Sequence, residues 1–223
     1  MGKLIVIEGV DSSGKETQTK LLFEYIKNLG VDVKKVSFPD YESDFCIPVK
    51  KYLAGDLGKN PSDVNAYAAS SFYAIDRYAS YKNDWGEFYH NGGIIVCDRY
   101  VTSNIVHQAM KTSDKDEKEK FIDWLSDYEY EKLGLPKPDV VIFLDMPPEA
   151  AQFLMKNRAN KITGESQKDI HESDSNYLTA AYNNAVEVAS HQGWHRVVCA
   201  NGLDVRTIED IHQKIVSIIE KIL

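Results

Sequence analysis

The apolar run Leu4-Ile5-Val6-Ile7 leads directly into Glu8-Gly9-Val10-Asp11-Ser12-Ser13-Gly14-Lys15-Glu16-Thr17, and Leu21, Leu22, Tyr25, Ile26 and Leu29 then recur at helical spacing. A strand feeding a glycine-rich turn that opens a helix is the context of a phosphate-binding loop. Gly9 and Gly14 let the backbone curl so that successive N–H groups point inward, and Lys15 adds a mobile cation at the helix N-terminus. Such a nest grips the polyphosphate of ATP or GTP. One position departs from the pattern: where the motif places Ser or Thr after the lysine to hold Mg²⁺, this chain has Glu16, with Thr17 next. A helix advances about 100° per residue, so Thr17 does not inherit the position. Two readings of Glu16 stay open, an oxygen ligand to Mg²⁺ directly or through water and a carboxylate that complements the helix dipole.

At 223 residues with 43% hydrophobic content, the chain suits one domain with a sizeable core. A net charge of −8 argues against a protein that coats DNA or RNA, so basic groups serving phosphates must be local. Cys46, Cys97 and Cys199 are odd in number and widely spaced, which suggests neither a disulfide framework nor a zinc site and fits a reducing compartment. The first strand begins by Lys3, and no apolar stretch approaches the roughly 18 residues of a membrane span. A soluble, cytoplasmic protein without a signal peptide or membrane association is expected.

Beyond Gly30, the segment from Asp32 to Phe38 reads as a second strand, and a mixed region follows to Pro61. A helix is predicted from about Ser62 through Arg77 to Asp84, then a strand at Ile94-Ile95-Val96-Cys97 with Asp98 at its end. The charged segment Thr112 to Lys132, with Phe121, Trp124, Leu125 and Tyr128, reads as a solvated helix with one apolar face. Asp139 to Asp145 is a near-continuous apolar run, typical of a buried parallel strand, and Pro147-Pro148-Glu149 starts another helix. Residues Ala159 to Ser173 are polar and aperiodic, which predicts a mobile lid. A helix through Tyr177, Ala181 and Val188, a strand from Trp194 to Cys199 and an amphipathic helix from Thr207 complete the chain. Five strands alternating with helices predict an α/β fold with a five-stranded parallel sheet and helices on both faces.

Phosphate-binding loops serve GTPases, motor ATPases, small-molecule kinases and non-catalytic binders. A GTPase would carry Asn-Lys-x-Asp, but Asn160-Lys161 is followed by Ile162-Thr163. A second phosphate site would need arginines and aromatics between the first and third strands, and Phe72-Tyr73-Ala74-Ile75-Asp76-Arg77 and Asp98-Arg99-Tyr100 supply them. With Gly9-Val10-Asp11, Phe38-Pro39, Ser103-Asn104 and Leu144-Asp145-Met146-Pro147-Pro148-Glu149, these segments give the chain a resemblance to thymidylate kinases over nearly its full length. That family belongs to the nucleoside monophosphate kinases.

The resemblance implies transfer of the γ-phosphoryl group of MgATP to thymidylate, in supply of DNA precursors, by a homodimer. It implies that Asp11 faces the sugar and phosphate of the acceptor, with Phe38 and Pro39 alongside, and that Arg99 binds its phosphate beside Ser103. Tyr73 stands where the family places the aromatic that stacks on thymine, Arg77 where a base carbonyl is bonded, and Asn104 at the base edge. A core aromatic remains the other reading of Tyr73, and a structural ion pair with Asp98 or another carboxylate that of Arg99. Asp98 either orients Mg²⁺-bound water or a catalytic side chain, or caps a turn. His107 stands where some relatives carry a tyrosine near the sugar; it tests for a missing 2′-hydroxyl or is a structural helix residue. Some relatives place an arginine where Ser12 stands and others place arginines in the lid, so Arg158, ahead of Lys161 and Lys168, is the leading candidate for transition-state charge, its other reading being a helix C-terminal cation without catalytic work. Such an arginine is worth on the order of 10³ to 10⁵ in rate. Rival readings are a kinase for another monophosphate or a deoxynucleoside, because the thymine methyl discriminates only roughly 10- to 200-fold, and a nucleotide-binding regulator.

Overall fold

The computed structural model describes residues 1–112, 114–156 and 175–223. In chain order the elements are β1 (Lys3–Gly9), α1 (Lys15–Asn28), β2 (Val33–Ser37), α2 (Ile47–Leu53), α3 (Ala66–Ser80) and α4 (Gly86–His90). There follow β3 (Ile94–Asp98), α5 (Val101–Gln108), α6 (Lys115–Ser126), β4 (Val140–Asp145), α7 (Pro148–Lys156) and α8 (Ser175–His191). The C-terminal part holds β5 (His195–Val198), a small antiparallel ribbon of β6 (Ala200–Asn201) and β7 (Asp204–Val205), and α9 (Ile208–Ile219). The main sheet has the order β2-β3-β1-β4-β5 and is parallel throughout.

β1 lies at the centre and is buried from Leu4 to Gly9, which explains an apolar run without polar alternation. Its side chains still alternate by face. Ile5 and Ile7 pack with Leu22 and Ile26 of α1 and with Ile211, Ile215 and Ile219 of α9. Leu4 and Val6 join Ile95, Cys97, Trp85, Tyr100, Phe121 and Leu125 on the opposite face. Helices therefore cover both sides of the sheet, as the alternation of strands and helices predicts. The three cysteines are buried and free, and no helix among the described residues is long and apolar enough to cross a membrane.

Local chemistry sets the element ends. Asn65 caps α3 by accepting from the Ala68 N–H at 2.8 Å, and Thr207 caps α9 by accepting from Asp210 N–H at 3.1 Å. The helix expected from Ser62 thus begins at Ala66: Pro61–Asp63 is a separate single turn, and Val64 is extended. α3 runs on through a π-helical turn, Tyr81–Trp85, into α4, and α6 ends in another, Asp127–Lys132. The mixed region before Pro61 contains α2, whose buried Val49 and Tyr52 pack with Ala69.

Two neighbouring strands deliver the chemistry to one end of the sheet. β1 and β3 pair in register with Ile7 opposite Asp98, so Glu8 and the phosphate loop leave the sheet beside Asp98-Arg99. Ligands of open parallel sheets bind at this carboxyl end. Nearby, the backbone after the cis Phe38–Pro39 bond is tied to α3, where Asp76 accepts from Asp40 N–H at 2.9 Å while its buried Oδ1 meets no partner among the described residues. Burial pushes the Asp76 carboxyl up to about 6, opposed by the hydrogen bond from Asp40 N–H and by the charges of Arg77 and Lys50, while the Asp40 carboxylate adds to the rise.

A carboxyl raised in the fold binds a proton that the unfolded chain releases near its ordinary pKa. The associated stability is fully present below that ordinary value and is lost as pH rises through about 6. Asp76→Asn is expected to remove that part of the pH slope, so urea denaturation of wild type and variant between pH 4 and 7.5 should show curves that diverge only below about pH 6 in slope.

Candidate active site

The loop between β1 and α1 is shaped for close approach. A side chain at Gly9 would come within 2.6 Å of Ser13 Oγ and 3.1 Å of the Leu144 carbonyl oxygen. Gly14 starts α1 at φ 90° without a side-chain cap, so no cap side chain takes up the first N–H groups of the helix. Ser12 also takes a positive φ of 60°. Lys15 Nζ donates to the Val10 carbonyl at 2.7 Å. Burial, with Arg99 nearby, lowers its pKa to about 8, against the pull of Asp11, Asp98 and Glu8. Glu16 and Thr17 are exposed on the first turn.

Arg99 follows β3 with a left-handed φ of 65°, a conformation costing about 1–3 kcal/mol in a non-glycine residue. That turn swings its guanidinium across to the phosphate loop. Nη2 meets Asp11 Oδ1 at 2.5 Å, and Nη1 lies 3.3 Å from Ser103 Oγ, 3.2 Å from His107 Nε2 and 3.5 Å from Glu8 Oε1. Burial acting alone would lower the Arg99 pKa, but Asp11, Glu8 and Asp98 raise it above the ordinary value. Arg99 only donates, so His107 Nε2 is an acceptor and the ring carries its proton on Nδ1. The ring stacks on Tyr177 of α8 with centroids 6.0 Å apart. Asp98 is raised by burial, opposed by Lys15 and Arg99.

Arg99 forms one wall of an open cleft at the carboxyl end of the sheet. Asp11, Ser103 and His107 line it near Arg99, and Phe38, Pro39, Tyr73, Arg77 and Asn104 line it farther along. Tyr73 is half-buried and perpendicular to Tyr52 of α2, with centroids 6.4 Å apart. It is therefore both a packing aromatic and a wall of the cleft. Arg77 is paired not with a neighbouring aspartate but with Glu129, through Nε at 2.7 Å and Nη2 at 2.6 Å. Burial raises the Glu129 carboxyl while Arg77 pulls it back, and the two short, parallel bonds mark the pair as ionised. Asn104 Nδ2 lies 3.4 Å from both Ser70 O and Glu129 Oε1.

A phosphate loop and a base-sized cleft bridged by one arginine suit a phosphotransferase acting on nucleotides. The model of the thymidylate kinase family matches residues 7–215. The chain belongs to that family. It is 31% identical to thymidylate kinase of Plasmodium falciparum, over 99% of this chain and 91% of that one. It is 30% identical to thymidylate kinase of Mycobacterium tuberculosis strain H37Rv, over 91% and 92%. A solved thymidylate kinase from Candida albicans has the same fold, with TM-score 0.69 and 23% identity over 99% of this chain and 92% of that chain.

The structure thus gathers Asp11, Lys15, Asp98, Arg99, Ser103 and His107 at the carboxyl end of β1 and β3. Arg158, Lys161, Lys168 and the expected lid at 159–173 lie outside the described residues. Sequence reasoning missed two buried carboxylates. Glu8 is fully buried and accepts from Gly9 N–H, Thr102 Oγ1 and Ser103 Oγ as well as Arg99. Glu129 corrects the reading of Thr112 to Lys132 as merely solvated behind an apolar face, since that face itself contains a buried charge. The signal was its spacing: Phe121, Leu125 and Glu129 follow one another at four-residue steps.

Lys15 must be charged to attract a polyphosphate, and its proton is lost near pH 8 in the free protein. The expected outcome is a fall in kcat/KM for ATP above about pH 8, with the corresponding limb of kcat at higher pH because bound phosphate raises the lysine pKa. Initial-rate pH profiles at saturating acceptor check this.

Proposed function

We propose that this protein reversibly transfers the γ-phosphoryl group of ATP to thymidylate, giving ADP and thymidine diphosphate. The observation that carries this reading is the position of Arg99, bonded to Asp11 of the phosphate loop while lining the acceptor cleft. An acceptor phosphate held by Arg99 lies next to the donor loop. In the transfer, an oxygen of that phosphate bonds to the γ-phosphorus as the bond from the γ-phosphorus to the β–γ bridging oxygen breaks, leaving the electron pair on ADP. The acceptor oxygen is already nucleophilic, so no covalent enzyme intermediate is needed. The protein aligns the groups and disperses their charge. Lys15 and the N–H groups opening α1 hold the donor phosphates, and Arg99 and Ser103 orient the acceptor. Tyr73, Phe38 and Pro39 line the cleft with apolar surface for a flat base, and Arg77 and Asn104 supply polar groups for its edge.

Mg²⁺ belongs to the same proposal. Among the described residues no group of three or more His, Cys, Asp or Glu could hold a metal. Asp98 and Glu16 are close enough that Glu16 helps raise the Asp98 carboxyl. One or two carboxylates completed by water and nucleotide phosphates suit Mg²⁺, a hard cation that dehydrates reluctantly. Bound there, it would neutralise phosphate charge. The proposed assembly is a homodimer, supported by the exposed Ile75 and Tyr78 on α3, apolar surface of the kind that a second copy covers.

ADP formation from MgATP with thymidylate, deoxyuridylate, uridylate, cytidylate, adenylate and guanylate tests the function. The highest kcat/KM is expected for thymidylate. Preference for another monophosphate would overturn the acceptor assignment, and turnover with none of them would overturn the kinase reading. Arg99→Ala is expected to lower kcat/KM for thymidylate by about 10²-fold or more, with a smaller change in KM for ATP. Arg158→Ala, with folding intact, is expected to lower kcat at least about tenfold through lost transition-state charge.

A further inference from the structure

We propose that Glu129 is a positioning residue for base recognition, fixing the order of hydrogen-bond donor and acceptor that the cleft shows to a nucleobase. This rests on the reading above that the cleft takes a nucleoside monophosphate. Glu129 is fully buried in the π-helical turn that ends α6. Both its oxygens are engaged: Oε2 accepts from Arg77 Nε, and Oε1 accepts from Arg77 Nη2 and Asn104 Nδ2. A second acceptor, the Ser70 carbonyl of α3, faces the same Asn104 nitrogen.

These contacts dictate the orientation of the amide. A carboxylate and a carbonyl only accept hydrogen bonds, so the reverse orientation would set Asn104 Oδ1 against two oxygens in a buried site. Nδ2 is held inward, and Oδ1 is the atom left for a ligand in the cleft that Asn104 lines. Arg77 is fixed by the same carboxylate. Of its five N–H groups, two go to Glu129 and one lies 3.4 Å from the Tyr100 carbonyl. Those remaining on Nη1 and Nη2 can donate. The edge on offer is thus a donor from Arg77 beside an acceptor from Asn104.

A base with a ring carbonyl next to a ring N–H complements that edge. Thymine and uracil carry this pair at O4 and N3. Cytosine carries an amino group and a bare ring nitrogen there, so donor would face donor and acceptor would face acceptor. Specificity against the amino pyrimidine follows from a carboxylate that, in the described contacts, reaches the base only through its two neighbours. A site built to pair polar groups penalises a mismatched ligand far more than an apolar pocket penalises a missing methyl.

The test compares kcat/KM for thymidylate, deoxyuridylate, deoxycytidylate and 3-methylthymidylate in wild type and Glu129→Gln. Glutamine keeps the shape but places N–H groups where an oxygen accepted. Wild type is expected to favour deoxyuridylate over deoxycytidylate by about 10²-fold or more, and to use 3-methylthymidylate at least about tenfold less well than thymidylate. In Glu129→Gln the deoxyuridylate-to-deoxycytidylate ratio should narrow by about tenfold or more, through KM for the monophosphate, with KM for ATP unchanged. A purely structural role would reduce active protein without moving that ratio. If Glu129→Gln does not fold, Glu129→Asp, which withdraws the carboxylate by one methylene, is measured in the same way. A ratio within about twofold of wild type in a folded Glu129 variant, or equal use of 3-methylthymidylate by wild type, would overturn the inference. Wild-type preference for a purine monophosphate would overturn the acceptor reading itself. Thymidylate preference with an unmoved ratio would sink only the role of Glu129.

Discussion

Glu8 sits at the end of the central strand, fully buried, with a carboxylate that four neighbours satisfy: the Gly9 N–H, Thr102, Ser103 and Arg99. A carboxylate removed from water costs several kcal/mol unless its lone pairs are met, and here the short bonds from Gly9 N–H, Thr102 and Ser103 meet them, with Arg99 adding a longer one at 3.5 Å. These donors come from two places, the start of the phosphate loop and the turn from β3 into α5. Glu8 therefore ties the loop after β1 to the turn after β3, and on the proposed reading it would set the spacing of the two nucleotides from inside the core. The left-handed backbone at Arg99 is sustained by the same contacts, because relaxing φ would withdraw the guanidinium from Asp11 and Glu8.

The two cleft arginines illustrate different uses of a buried ion pair. Arg77 and Glu129 are sealed, at 1% and 0% exposure, and form a bidentate pair that removes the net charge of the guanidinium. That suits the neutral edge of a base, where shape and donor order matter. Arg99 remains 15% exposed and shares its N–H groups among Asp11, Glu8, Ser103 and His107. Several of those bonds are long, so an incoming phosphate, with more charge and better geometry, can compete for them. Arg77 is held still at the cleft wall by its bidentate partner, whereas Arg99 is held in place by bonds that can be exchanged.

Much of the sheet was legible in the chain because burial on both faces leaves its mark as unbroken apolar runs at Leu4-Ile7 and Val140-Leu144. Thr207 and Asn65 mark helix starts, but only the first was read, since Pro61 and Asp63 offered a competing start a few residues earlier. The phosphate loop and Asp98-Arg99-Tyr100 were readable as contiguous strings. Strand order was not, since which runs flank β1 depends on the crossovers and not on any strand's own pattern. Glu129 lies 52 residues from Arg77 in a segment dense with solvated charges, and only its place on the Phe121–Leu125 stripe distinguishes it. Glu8 escaped notice for a related reason: a charge at a strand end ordinarily reaches water, and its burial appears only once β3 and β4 close on either side.

The balance of charge at the loop bears on the metal. Among the described residues Lys15 and Arg99 are the cations there, and Glu8, Asp11, Asp98 and Glu16 act on one or other of them or on each other. Two positive groups face four carboxylates before any phosphate arrives. The arginine is largely committed to Glu8 and Asp11, and burial weakens the charge of the lysine. Two phosphate-bearing nucleotides brought into this setting would meet an excess of negative charge that the described side chains alone do not offset. Part of the raised Asp98 carboxyl reflects that excess, through Glu8 and Glu16. A divalent cation carried on the donor phosphates would reverse the imbalance and favour ionised Asp98, so the same carboxylates that oppose bare phosphates would favour the metal complex. On the proposed reading, Glu16 stands where the common loop pattern has a hydroxyl and would bring to the metal complex a charge as well as an oxygen.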